Sequence, residues 1–429
     1  MTGSRFRRRA LENSTVTLKN KGRNDKSYCM KENRTKKISV VLGTLSLVIL
    51  VGSQYLNEVL NLYVGNNRGF FTPIIAVVAI MFLASLFIMR SIKKNRYSTI
   101  LIVILLIAYL LTLILQPGKS TLNIIDFFGM CILPIAVGAY LRIDYKLAFR
   151  GCMVLLLLAV PVFGKLFLKA NIGLNYDAVS MSTSYDLLPI SIAGLVFIIY
   201  FGKDSKLFDK LLFVVSLVFV FSLIRMSYRG ALLALAISLL TAFYFRKPSE
   251  TYKRRLQIIA LGLLLILVIA NIEYMLQFMS GILQRINVRV AFIDKTLYLL
   301  KSDSIEHGRL EIWQLAFRGF LSSPLWGNGM ATFQYYTGYP FPHNYLLEFL
   351  FDGGVLLFVP LIVIFVYAIK KLIESAWVSD RYRFAFTMMI GSISLVRGFL
   401  SAESWRIVLL WLFIGLSLNE NSDIVERGE

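Results

Sequence analysis

The sequence predicts an all-α polytopic membrane protein of about twelve transmembrane helices, with one long extracytoplasmic loop containing amphipathic helices. Three observations carry that prediction. Hydrophobic residues make up 57% of the 429 positions and charged ones only 17%, with a mean hydropathy of +0.67. A soluble domain of this size has too little interior to hide so much apolar surface. The apolar residues also come in runs of roughly 20, the length a helix needs to cross ~30 Å of hydrocarbon. Finally, the runs are continuous rather than alternating, which excludes the strands of a membrane barrel.

Residues 1–37 form a basic tail, too long for the n-region of an ordinary signal peptide. No small-residue cleavage site follows the first apolar run, so that run is expected to be a retained helix. Residues 38–274 hold the first nine spans, at 38–55, 69–89, 98–116, 122–141, 149–168, 186–202, 211–224, 230–245 and 256–274. The fifth carries Pro161 and Gly164, which favour a kink. Three more spans, 343–369, 384–400 and 404–418, lie within 343–418, and 419–429 is a second tail.

Orientation follows from lysine and arginine. With both termini cytoplasmic, most of the 46 basic residues fall in cytoplasmic pieces. Segments such as "RSIKKNR" (90–96) and "RKPSETYKRR" (246–255) dominate that bias. The formal charge of +21 is therefore topogenic and lipid-facing, and no nucleic-acid partner is needed to explain it. Cys29, Cys131 and Cys152 show no paired spacing, so neither a disulfide framework nor a metal site is expected.

The loop 275–342 is too polar to span the membrane. Residues 280–301 read as an amphipathic helix, and Asp303 with Glu306 resembles a capping box. A second helix is expected over 307–323, with Leu310, Trp313, Phe317 and Phe320 near helical spacing and a stop at Pro324. Such a segment suits the membrane–water boundary.

Candidate chemistry gathers around this loop. His343 follows Pro342 at the first turn of the tenth span. The positive field of a helix N-terminus keeps an imidazole neutral and able to accept a proton. On position alone, a plain capping role for His343 and Asn344 is the favoured reading. Arg225, Arg229 and Arg309 all fall on the outer side, against the topogenic preference. Planar guanidinium forks bind phosphate or diphosphate bidentately, although an arginine at a span end also snorkels to headgroups. Glu348 and Asp352 are one helical turn apart; acids within a span suggest function, and pairing with Arg397 or Arg406 is an equally good structural account. Glu306, Glu311 and His307 read as capping or solvated residues, and Trp313 as an interface anchor. No Walker loop, nucleotide fingerprint or metal-ligand cluster occurs, so no cofactor is expected.

Four pieces in order carry a resemblance: "SYRGALLALAISLL" (227–240), "GRLEIWQLAF" (308–317), "PLWGNGMATF" (324–333) and "PHNYLLEFLFDGGVLLFVP" (342–360). Together they resemble the O-antigen ligase/polymerase superfamily, bacterial multispan glycosyltransferases, over roughly residues 200–415. The resemblance implies a glycan donor carried on undecaprenyl diphosphate, a glycan or lipid-linked acceptor, and a bacterial inner or plasma membrane location. It implies attack by an acceptor hydroxyl on the anomeric carbon without a metal. Arg229 and Arg309 would bind the diphosphate and His343 would assist the acceptor; Arg225, Lys165 or Lys169 would be further basic residues near the site. Within the family, polymerisation of capsular, exopolysaccharide or O-antigen repeat units is favoured over ligation to lipid A core, and a chain-length regulator would be a natural protein partner. Outside it, a polysaccharide flippase or transporter is the alternative, weakened by the absence of evident related halves.

Overall fold

The computed structural model describes residues 35–64, 69–89, 95–171, 179–202, 205–226, 229–245, 272–285, 293, 297, 309–375, 381–400 and 403–420. Among them every regular element is helical. In chain order these are α1 (Thr35–Val51), α2 (Ser53–Val64), α3 (Phe71–Met89), α4 (Arg96–Leu115), α5 (Ile124–Tyr140), α6 (Tyr145–Asn171), α7 (Val179–Phe201) and α8 (Leu207–Met226). There follow α9 (Arg229–Phe245), α10 (Ile272–Arg285), α11 (Arg309–Ser322), α12 (Phe333–Thr337), α13 (Tyr345–Ser375), α14 (Arg381–Leu400) and α15 (Val408–Leu418).

Burial sorts these helices into layers. Helices α3 and α4 bury only 22% and 28% of their most apolar window, whereas α14 buries 83%. The first two therefore form an apolar flank open to lipid and the last a central post. Every residue of α15 is buried, and it packs along α5 and α14. Close approach is permitted by small residues: a Cβ on Gly415 would lie 2.5 Å from the Ile135 carbonyl oxygen, and one on Gly138 2.7 Å from the Leu416 nitrogen. Small contacts and interhelical hydroxyl bonds are the means by which helices associate in lipid. Ser238 of α9 meets Ser392 of α14 at 2.6 Å, and Ser39 of α1 meets Ser85 of α3 at 3.1 Å.

Several expected spans take a different form. The first is a bent pair, α1 and α2, meeting at 63°. The last is an 11-residue helix behind the 3-10 turn Ser404–Arg406, about 16 Å long and too short to cross the bilayer. The ninth, 256–274, lies almost wholly outside the described residues. So do Asp303 and Glu306, and most of the amphipathic segment 280–301.

The tenth span is broken. Within α13, Gly354 has φ 56° and ψ −160°, which leaves a short leading helix (345–353) and a trailing one (355–375) about 31 Å long. Breaking a helix strands carbonyls before the break and N–H groups after it. Here the turn after α11 supplies the missing partners. Asn328 and Gly329 donate to the Phe351 and Asp352 carbonyls at 2.9 and 2.8 Å, while Val355 and Leu356 donate to the Pro324 and Leu325 carbonyls at 2.8 and 3.2 Å. The two segments thus form a main-chain clasp. It requires glycine: a Cβ on Gly327 would lie 2.4 Å from the Asp352 carbonyl, and one on Gly354 2.5 Å from the Leu325 oxygen.

Candidate functional site

The clasp fixes the far end of the leading helix of α13; His343 stands at its near end. Asn344 caps that helix, its side-chain oxygen accepting from the Leu346 N–H at 3.0 Å. Capping therefore belongs to Asn344 rather than to His343. The imidazole has its own peculiarities. His343 has φ +58°, a conformation that histidine tolerates better than most side chains but that still stores strain. Its Nδ1 is buried without a hydrogen-bond partner among the described residues. The ring lies 4.4 Å from that of Phe341.

Helix α11 braces this turn. Trp313 donates its indole N–H to the Pro342 carbonyl at 3.0 Å, so it is a strut of the His343 turn. The helix buries Ile312 and Ala316 against Phe333 and Phe351. Of the apolar stripe read from the sequence, Leu310 and Phe317 remain 47% and 48% exposed.

Arg309 opens α11 and donates to the Leu400 carbonyl, the last of α14, at 3.0 Å. It also bears on His343. Burial, and secondarily the positive charge of Arg309, lower the imidazole pKa from 6.5 to about 4. His343 is therefore neutral at physiological pH, as its position at a helix start predicts, but for a different principal reason.

Arg229 is the first residue of α9 and Arg225 lies in the last turn of α8; their side chains, like those of Lys165 and Lys169, fall outside the described residues. The main chain still places residue 229. Helices α9 and α14 run antiparallel, with Ser238 on Ser392 and Phe245 on Phe384, ring centroids 4.9 Å apart. Continuing that register brings the start of α9 level with Leu400, the residue that holds Arg309. His307 and Glu306 lie outside the described residues, and Glu311 is exposed.

The buried carboxylates do not pair as the sequence suggested. Glu348 accepts from the Ser404 N–H and hydroxyl at 2.9 and 2.6 Å. Asp352 accepts from the Ala331 N–H at 3.0 Å and from the Trp405 indole. Arg406 pairs with Glu403 at 3.1 Å, and burial holds that carboxyl above its ordinary range. Arg397 pairs instead with Asp186 at 2.6 Å, a residue that sequence reading passed over. An acid at the edge of an apolar run was the available signal. Among the described residues no group of His, Cys, Asp and Glu has the makings of a metal site.

A cavity of about 250 Å³ lies between the end of α4 and the trailing part of α13, lined by Thr112, Leu115, Trp326 and Gly353 among others. It sits at the clasp, a helix length from His343.

Residues 211–362 match the family model described as O-antigen ligase. The match spans α8, α9, the intervening loop, the clasp and the start of α13, so the superfamily resemblance is supported over the segment that carries Arg225, Arg229, Arg309 and His343. A search of curated proteins finds no match.

Proposed function

We propose that this O-antigen ligase/polymerase-type membrane protein transfers a glycan from undecaprenyl diphosphate to an acceptor hydroxyl at the extracytoplasmic face, polymerising surface-polysaccharide repeat units. The observation that supports the reading best is a strained His343, its buried Nδ1 without a hydrogen-bond partner among the described residues, near enough to Arg309 for the guanidinium charge to bear on the imidazole.

In this reading the donor is already activated by its leaving group. The acceptor oxygen attacks the anomeric carbon and the bond from that carbon to the diphosphate breaks, its electron pair leaving with the phosphate oxygen. His343 takes the acceptor proton. Arg309, with Arg229 and Arg225, would stabilise the charge that grows on the diphosphate. One further effect links the two roles. A dianion bound beside Arg309 offsets the positive field on the imidazole and so raises its basicity when the donor is present.

Purified protein with a lipid-diphosphate-linked repeat unit tests the proposal. A ladder of longer lipid-linked glycans supports polymerisation, and transfer only to an added lipid A core acceptor supports ligation. Neither product, from protein that is folded and inserted, would refute a transferase. Activity that survives EDTA would agree with guanidinium groups supplying the charge; loss restored by a divalent cation would replace that part of the proposal.

A further inference from the structure

Arg397 and Asp186 form the most deeply buried ion pair among the described residues, with side chains 10% and 6% exposed. The Arg397 NH1 group donates to Asp186 at 2.6 Å and to the side-chain Oε1 of Gln54 at 3.0 Å. The guanidinium stands 5.3 Å from the centre of the Tyr185 ring. One residue of α14 is thereby tied to α2 and to α7. Stability alone is a poor account of such a pair, because apolar residues of similar volume often hold a buried site as well or better.

Its position offers a better account. Arg397 is in the last turn of α14, and Leu400, three residues on, lies on the same helix face. The Leu400 carbonyl is one of the terminal acceptors that a helix leaves unpaired, and it carries the negative end of the helix dipole. That carbonyl receives Arg309. The same turn also supports the His343 segment. A Cβ on Gly398 would lie 3.0 Å from the Tyr345 ring, and the rings of Tyr345 and Phe399 are 4.4 Å apart.

We infer that the Arg397–Asp186 pair is a positioning element for the candidate site: by fixing the last turn of α14 against α2 and α7, it sets the carbonyl that aims Arg309 at the phosphate of the lipid-linked donor. The inference rests on the phosphate-binding reading of Arg309 given above. Neither Arg397 nor Asp186 touches the reacting atoms.

The test uses the full-length protein and the lipid-diphosphate-linked donor. Asp186→Asn keeps the shape and one hydrogen-bond acceptor but removes the charge. The expected result is a donor KM raised on the order of tenfold, with substantial recovery in Asp186→Glu. A merely structural pair would lower the yield or thermal midpoint while the folded fraction kept the wild-type KM, and that result overturns the inference. A double-mutant cycle with Arg309→Lys adds a second reading: losses smaller than the sum mark one shared device, and strictly additive losses overturn it. Should Asp186→Asn fail to fold, Arg397→Lys, which keeps a charge for Asp186, is measured for the same KM change. A wild-type KM in Arg309→Lys alone would show that the reading of Arg309 had failed, whatever Asp186 does.

Discussion

The indole N–H of Trp313 is bonded to the carbonyl of Pro342 at 3.0 Å, and this one contact joins the helix that begins with Arg309 to the turn that carries His343. Trp313→Phe keeps an aromatic ring, though a smaller one, and removes the donor. An ordinary hydrogen bond contributes about 1 kcal/mol. Transfer efficiency, kcat/KM, is therefore expected to fall by roughly two- to tenfold, while the protein still inserts. Unchanged kinetics would show that the turn holds its shape without the strut.

His343→Asn separates chemistry from backbone strain. Asparagine tolerates the positive φ of this position, so the variant is expected to fold normally and to lose glycan transfer. Full-length polymer from His343→Asn would remove the base from the mechanism.

The imidazole also gives a pH prediction. Because its pKa in the folded protein is lowered to about 4, the base form persists well below neutrality. A plot of kcat/KM for the donor, which reports the free enzyme, should stay level down to about pH 5 and fall below that. Arg309→Gln removes one of the two causes and should move the limb upward. A wild-type limb centred on 6.5 would contradict the assignment. The same shift destabilises the protein in acid: the contribution is fully present above pH 6.5 and is lost as pH falls towards 4.

Arg309→Lys and Arg229→Lys test the phosphate fork. An ammonium cannot supply two parallel donors, so both variants are expected to raise the donor KM by about tenfold or more. Wild-type kinetics in Arg229→Lys would indicate an arginine that merely reaches the headgroups.

Gly327→Ala tests the clasp. Gly327 has φ +68°, and its added Cβ would meet main-chain atoms of Asp352 rather than a flexible side chain. Strain of about 1–3 kcal/mol is expected, read as a lower thermal midpoint and a lower yield. An unchanged midpoint would mean that the clasp relaxes freely.

Apolar composition and run length made the helical membrane class legible, and α3 and α4 match their expected spans closely. The tenth span was legible in place, 343–369 against Tyr345–Ser375, but its break was not, because that is made by Gly354 together with a turn some thirty residues earlier and a hydropathy profile sees only the local chain. The last span failed similarly, since a fully buried short helix and a membrane span have the same composition. At the site, motif and charge bias singled out His343 and Arg309, and folding brings the charge of Arg309 to bear on the imidazole. Asp186 was not, since nothing local marks it as the partner of a residue over two hundred positions away. Likewise, Glu348 and Asp352 suggested charge pairing but accept from the 403–405 turn and from Ala331, contacts that only folding creates.

Apart from the Asn328 amide, which also donates to the Phe351 carbonyl at 3.1 Å, the clasp is made by main-chain atoms, so the outward side chain of Trp326 takes no part in holding it. Trp326 is 63% exposed there, whereas Trp405 and Trp411 are sealed in the interior. With Trp313 and Trp377 replaced by phenylalanine, the protein carries an optical depth gauge at this turn: brominated lipids should dim the emission of Trp326 and spare the two sealed indoles, reporting how far this corner dips into the bilayer.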